Sequence, residues 1–253
     1  MTKPYVLFDI DGTICFDGKM IDPRLENAIE GLSELFEIVF ATARHPFDML
    51  DLFKLFDVYK LNIIGCNGAI YYKGGNVKRV FHFAPSVGAE IYRRVAGYGG
   101  TTVGLGENSL FFERSEAYLV AQQEWKFSHR YSVSFTIEEG RLCKIMTKGQ
   151  DITNLINADC MLPDVCTIYT HRDGSIDLVK KGTNKLTPIH HSLGNSMIYA
   201  AFGNDENDRA MLLNASRRIV VGDGIQGIPN AEIVASGEEV VPNLLKKIRS
   251  LIE

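Results

Sequence analysis

Tyr5-Val-Leu-Phe-Asp-Ile-Asp-Gly-Thr13 is an apolar run that ends in two acids and a Gly-Thr pair. A run apolar on both faces predicts a central parallel strand, because only helices on both sides of a sheet can cover it. The next sixty residues keep a matching rhythm. Asp22 and Pro23 open a helix, the acid as its cap and the proline at its first position. Leu25, Ile29, Leu32 and Leu35 stand on that helix at helical spacing. Phe36–Ala41 reads as a second buried strand and ends at Thr42-Ala-Arg-His45. Pro46 starts another helix, with Met49, Leu50, Phe53 and Leu55 as its apolar side. Leu61–Cys66 reads as a third strand, closed by Asn67-Gly68. Alternating strands and helices predict an α/β fold, a doubly wound parallel sheet.

The middle of the chain loses this rhythm. Val87–Val95 and Ser115–His129 read as helices. Phe111-Phe112, Ser132–Ile137, Leu142–Thr147, Thr167–Thr170 and Ile176–Val179 read as strands, with Asp173-Gly174 as a hairpin turn. The glycine-rich stretch Gly97–Gly106 reads as a loop. The expectation is a core made of residues 1–83 and 181–253, and an inserted α+β domain over 84–180. In the second core segment, Leu186–Leu193 and Asp205–Asn214 are expected as helices. Ser196–Phe202 and Ile219–Val221 are expected as strands, and Val240–Ile252 as an amphipathic terminal helix.

Composition narrows the class. The 253 residues are 45% hydrophobic and 23% charged, with a net charge of −4. That supports a real core and argues against general nucleic-acid binding, which needs a basic face. No apolar run approaches the roughly 20 residues of a membrane helix, and the acidic N-terminus lacks a signal-peptide layout. A cytoplasmic location is expected, with no membrane partner. The five cysteines (Cys15, Cys66, Cys143, Cys160 and Cys166) contain no C-x-x-C pair and read as reduced thiols, several of them interior.

In a parallel sheet, ligands sit beyond the carboxyl ends of the strands. Asp9, Asp11, Gly12 and Thr13 follow the first strand. Thr42 and Arg44 follow the second, and Asn67 and Gly68 the third. Lys185 precedes the helix after the insert, and Asn204, Asp205, Asn207 and Asp208 follow the strand ending at Phe202. Two carboxylates about 4 Å apart repel by roughly 4 kcal/mol at an effective dielectric near 20. Such a cluster calls for protons or a divalent cation, and all-oxygen donors suit Mg²⁺. Lys185, Thr42, Arg44 and backbone N–H groups would cradle a phosphate. The combination fits phosphoryl transfer, with Asp9 as nucleophile and Asp11 as proton carrier.

These residues resemble a known family. Phe8-Asp-Ile-Asp-Gly-Thr13 looks like the first motif of the haloacid dehalogenase (HAD) superfamily. Ala41-Thr-Ala-Arg44 resembles its second motif as found in Cof-type phosphatases, where a glycine usually precedes the arginine. Cys66-Asn-Gly-Ala69 is similar to the Asn-Gly-Ala of that branch. Lys180-Lys-Gly-Thr-Asn-Lys185 looks like the approach to the motif lysine, and Gly203-Asn-Asp-Glu-Asn-Asp208 like the fourth motif, Gly-Asp-x-x-Asn-Asp. The resemblance implies a Mg²⁺-dependent phosphatase with a Rossmann-like core and a type C2B (subfamily IIB) cap. It implies Asp9 as nucleophile, Asp11 as acid/base, and Thr42 and Lys185 at the phosphate. Asn207 and Asp208 match the closing Asn-Asp, which supports metal and phosphate. With Arg44 and Asn67 added, the expected phosphate and substrate set is Thr42, Arg44, Asn67, Lys185 and Asn207. The expected metal set is Asp9, Asp11, Asn204 and Asp208. Asn204 departs from the pattern, standing where the family usually places a metal-binding Asp.

Other features read more plainly. Gly222-Asp-Gly-Ile-Gln-Gly227 matches G-x-G-x-x-G, but it comes late and Pro229 stands just beyond it, so a tight loop is expected instead of a nucleotide site. The six histidines form no metal-spaced pair. Trp125, Phe127 and Tyr131 are expected to pack within the insert. Arg114, Lys144 and Arg172 are expected as solvated charges, or else as contacts to an anionic substrate. The expected partner is a small phosphorylated metabolite as substrate, a sugar phosphate first, and the chain is expected as a monomer or homodimer. The alternatives are a phosphohexomutase-type phosphotransferase, and a catalytically weak phosphate-binding or regulatory module.

Overall fold

The computed structural model describes residues 3–138, 140–192 and 197–253. The chain forms two compact units, one of Met1–Arg79 with Asn184–Glu253 and one of Val80–Thr183.

The first unit opens with β1 (Tyr5–Asp9), α1 (Pro23–Leu32), β2 (Glu37–Ala41), α2 (Pro46–Met49), β3 (Asn62–Gly65), β4 (Ile70–Lys73) and β5 (Asn76–Val80). Asp22 caps α1 by accepting the Arg24 N–H at 2.8 Å. Leu25, Ile29 and Leu32 are buried, but Leu35 lies past the helix end and is exposed. The helix from Pro46 is shorter than its apolar spacing suggests: it tightens into a 3₁₀ turn at Leu50–Leu52 and stops. The buried carboxylate of Glu26 supplies the reason. It takes the Lys54 and Leu55 N–H groups, at 2.8 and 3.2 Å, which a continuing helix would have given to its own carbonyls. Phe53 packs on Phe40, and Leu55 faces solvent.

The second unit holds α3 (Pro85–Ala96), β6 (Thr101–Leu105), β7 (Ser109–Phe111), α4 (Ser115–Trp125), β8 (Ser132–Ser134), β9 (Lys144–Lys148), α5 (Ile152–Ala158), α6 (Leu162–Val165), β10 (Cys166–Thr170) and β11 (Ile176–Lys180). Its strands form one sheet in the order β10-β11-β9-β6-β7-β8. The stretch expected as a loop at Gly97–Gly106 contains β6, an interior strand of this sheet. Glycine density hid it, yet Gly104 serves packing: a Cβ there would stand 2.8 Å from the Leu142 side chain. The short helices α5 and α6 also went unread. Trp125, Phe127 and Tyr131 do pack together, with ring centroids 5.9 and 6.0 Å apart along the series. Lys144 is no solvated charge; it is buried against Asp177 at 2.8 Å, and His171 Nε2 lies 3.0 Å from the same carboxylate.

The chain then returns to the first unit with α7 (Thr187–Ser192), β12 (Ile198–Gly203), a 3₁₀ turn at Glu206–Asp208, α8 (Arg209–Asn214), β13 (Arg217–Val221), β14 (Glu232–Val234) and α9 (Val240–Arg249). The expected ends at Leu193 and Ser196 lie outside the described residues. The sheet runs β14-β13-β12-β1-β2-β3-β4-β5, parallel from β14 to β3, with β4 antiparallel to β3. This is the expected α/β fold with a parallel core. One face of β1 (Val6, Phe8) packs with α1 and α9. The other (Tyr5, Leu7) packs with α7 and α8. The chain leaves β1 toward β2 on one side and reaches β12 on the other, so the strand order reverses beside β1. Register aligns the tips: Asp9 lies abreast of Ala41, and Phe8 abreast of Phe202. The Gly222–Gly227 stretch is loop. Cys15, Cys66, Cys143 and Cys166 are buried and Cys160 is exposed, all free thiols. Among the described residues, no helix is long and apolar enough to cross a membrane.

Replacing Glu26 with Ala leaves two backbone N–H groups without their acceptor. The variant should lose about 1–3 kcal/mol of stability in urea titration. A loss below about 0.5 kcal/mol, the range of inert surface changes, would show that water replaces the carboxylate at no cost.

Candidate functional site

The tip of β1 is built by a turn. Ile10 C=O accepts from the N–H groups of Thr13, Ile14 and Cys15, and this curls the chain back over the end of the strand. Thr13 Oγ1 donates to Asp9 Oδ2 at 2.8 Å. Gly12 sits at φ +79°, and a Cβ on it would stand 2.1 Å from Asn204 Nδ2, so glycine is what lets the Asn204 amide lie against this turn.

Lys185 is wholly buried and forms the hub. Its Nζ donates to Asp9 Oδ1 and to Asp208 Oδ1, each at 2.6 Å, and approaches Asn207 Oδ1 at 3.5 Å. Backbone contact places it there. Gly68, at φ +100°, packs so tightly on the segment before the lysine that a Cβ would lie 1.8 Å from Asn184 C=O. Asn67, in the left-handed region at φ 53°, donates its N–H to Thr42 C=O at 3.0 Å and accepts from Asn207 Nδ2 at 3.0 Å. Asp208 Oδ2 accepts the Asn204 and Asp205 N–H groups at 2.9 and 3.1 Å, which fixes the loop after β12.

The structure thus joins Asp9, Lys185, Asp208, Asn207, Asn67 and Thr42 in one hydrogen-bonded series. Asp11 and Arg44 stand in a contact of their own: Arg44 Nε donates to Asp11 Oδ2 at 2.9 Å, and Nη2 donates to Oδ1. Thr42 Oγ1 accepts the Arg44 N–H at 3.0 Å. The sequence places Thr13 at the end of the first strand, one turn after Asp9, without giving it a role, and the structure shows it bonded to Asp9. The role of Asn184 is a backbone approach that only the fold reveals.

The sequence profile of the haloacid dehalogenase-like hydrolases matches residues 6–235. The chain belongs to that family. It is similar in fold to a protein from Eubacterium rectale, at 19% identity, TM-score 0.81, over 98% of this chain and 99% of that one. It is similar to BT4131, a sugar phosphatase of HAD subclass IIB, at 19% identity, TM-score 0.77, over 98% and 99% of the two chains. It is similar to TM0651 from Thermotoga maritima, at 20% identity, TM-score 0.76, over 97% of each chain. No curated protein sequence matches it significantly.

In this haloacid dehalogenase-like hydrolase one ammonium serves two buried carboxylates. Burial pushes the Asp9 carboxyl above its usual range, against the pull of Lys185. Burial and the Asp9 charge push Asp208 up to about 6. Burial disfavours the Lys185 ammonium, yet Asp208 and Asp9 together hold its pKa above the ordinary value. Among the described residues, no three His, Cys, Asp or Glu side chains are arranged to hold a metal ion. Asp11 is bonded to Arg44, and Asp208 accepts three hydrogen bonds against two for Asp9. The donors left are the spare lone pairs of Asp9 and the Asn204 side-chain amide. Both are hard oxygens, and that chemistry fits Mg²⁺ completed by water or substrate oxygens.

Replacing Lys185 with Met would strand both carboxylates. The loss should be about 3–5 kcal/mol at pH 8, the cost of breaking a buried pair. It should shrink at pH 5. Asp208 holds its proton more tightly folded than unfolded, so its contribution is present at low pH and is lost as pH rises through about 6. Urea titrations with a chelator at the two pH values measure this. An equal loss at both would show that the carboxylates do not interact through the lysine.

Proposed function

We propose that this hydrolase is a Mg²⁺-dependent phosphomonoesterase acting through an aspartyl-phosphate on Asp9, with small sugar phosphates as its substrate class. The observation that carries the proposal is Asp9 itself, a buried carboxylate at the tip of the central strand, held from two sides by Lys185 and Thr13. One Asp9 oxygen attacks phosphorus, the ester P–O bond breaks, and Asp11 gives a proton to the departing oxygen. Water then attacks the same phosphorus while Asp11 takes its proton, and phosphate leaves with the Asp9 carboxylate restored. Lys185 holds Asp9 in place and offsets the charge of the phosphoryl oxygens. Thr42 and Asn67 fix the loops around the phosphate, with Asn207 tying Asn67 to the lysine.

Asp9 and Asn204 would hold the Mg²⁺, and Asp208 would support them through the Asn204 N–H. When bound, the ion supplies positive charge beside a carboxylate whose burial otherwise favours its protonated form. The Val80–Thr183 unit would act as the cap that excludes water and sets specificity. The subclass IIB sugar phosphatase among the similar folds supports the sugar-phosphate class. A net charge of −4 favours a small-molecule substrate over nucleic acid. A second reading, a catalytically weak phosphate binder, draws on Asn204, which brings one less negative charge to the ion than an aspartate.

Asp9→Asn should lower turnover of a generic aryl phosphate with Mg²⁺ by at least about 10³-fold at an unchanged fold, because it removes the nucleophile. A rate near wild type would take Asp9 out of the chemistry. Hydrolysis, as opposed to transfer, releases free phosphate carrying oxygen from labelled water. Asn204→Asp should lower the Mg²⁺ concentration for half-maximal activity and enlarge the Mg²⁺-dependent rise in melting temperature. Titrations unchanged in both readouts would show that residue 204 does not meet the ion.

A further inference from the structure

The proton carrier of the proposed reaction is not loose in its turn. Arg44 grips both oxygens of the Asp11 carboxylate, through Nε at 2.9 Å and through Nη2. Its Nη1 donates to Gly18 C=O at 3.3 Å, so three contacts set the plane of the guanidinium. The arginine backbone is tied on both sides: its N–H donates to Thr42 Oγ1 at 3.0 Å, and its C=O accepts the Cys66 N–H at 2.8 Å. Arg44 is therefore a fixed post at the end of β2, reaching back across the strand tips to the β1 turn.

Resting on the assignment of Asp11 as proton carrier, we propose that Arg44 is a positioning residue that orients the Asp11 carboxylate toward the departing oxygen, and not a holder of the phosphate. One observation favours positioning, and a second sets aside a merely structural role. Both carboxylate oxygens of Asp11 are engaged by the one guanidinium, a forked geometry that fixes the carboxylate plane as a point charge would not. The pair is also too exposed to matter much for stability, with side chains 35% and 41% accessible. What remains of its effect is orientation. A proton carrier matters in proportion to the basicity of the group it protonates: phenolate needs the proton far more than 2,4-dinitrophenolate does.

The test compares kcat/KM, which reports the step that expels the leaving group, for phenyl phosphate and 2,4-dinitrophenyl phosphate with saturating Mg²⁺. Asp11→Asn should lose about 10²-fold or more on phenyl phosphate and less than about 3-fold on the dinitrophenyl ester. Arg44→Gln should show the same asymmetry at about 10-fold on phenyl phosphate, because Asp11 stays present but unoriented. Arg44→Lys, which keeps the charge and loses the fork, should resemble Arg44→Gln. Melting temperatures should stay close to wild type for both Arg44 variants. Equal losses on the two esters would make Arg44 a substrate holder and overturn the inference. A wild-type-like Arg44→Lys would overturn it too, since charge alone would then suffice. If Asp11→Asn itself shows no asymmetry, Asp11 is not the proton carrier and the role of Arg44 falls with it. An active Asp9→Asn separately marks failure of the nucleophile assignment.

Discussion

The site is organised by one cation placed between two buried anions. Lys185 touches Asp9 and Asp208 at the same 2.6 Å, and none of the three side chains has appreciable access to water. Removing one such group from solvent is expensive, and three can be tolerated only if each satisfies another. One ammonium neutralises only one carboxylate, so the trio keeps a net negative charge. Burial raises both carboxyls, and the Asp9 charge adds to the rise of Asp208. The fold thus holds in reserve a local demand for positive charge at the tip of β1.

Keeping that cluster together requires backbones to touch where side chains would hold them apart. Gly68 lets the loop after β3 press against Asn184, and this sets the position of the next residue, Lys185. Gly12 lets Asn204 lie on the β1 turn, and Gly203 leaves room for Asp208, whose Cβ would be 2.6 Å from a Cβ at that position. The reversal of strand order beside β1 brings these loops to one edge although nearly 200 residues of sequence separate them. Topology gathers the segments, glycines close the gaps, and the ion cluster fixes the result.

How much of this could be read from sequence depends on the range of the forces involved. The strand at Tyr5–Asp9 and the cap at Asp22-Pro23 were legible because each is a local pattern with one physical meaning. The loop character of Gly222–Gly227 was legible for the same reason. The strand at Thr101–Leu105 was not, because its glycines signal a loop unless the Leu142 side chain beside Gly104 is known. The early end of α2 depends on Glu26, more than twenty residues away in sequence. At the site, residue types at strand ends gave the candidates, but not their pairing. Lys185 bridging Asp9 and Asp208 is a tertiary fact, as is Arg44 turning to Asp11. The buried pair of Lys144 and Asp177 was invisible for the same reason, since a lysine whose partner lies on another strand reads as a surface charge.

The departure at residue 204 gains meaning from this charge balance. A carboxylate there would add a third anion to a cluster that already exceeds its one ammonium, and it would sit against the turn that carries Asp9. Without an ion, that repulsion would favour protonation of Asp9 even further, or push the two loops apart. An amide keeps the oxygen and removes the repulsion, so the cluster stays compact with Lys185 alone. The same choice weakens the attraction for a divalent ion, because Coulomb attraction falls with each charge removed. With an amide at residue 204, the loops at this edge are held together by Lys185 and its two carboxylates.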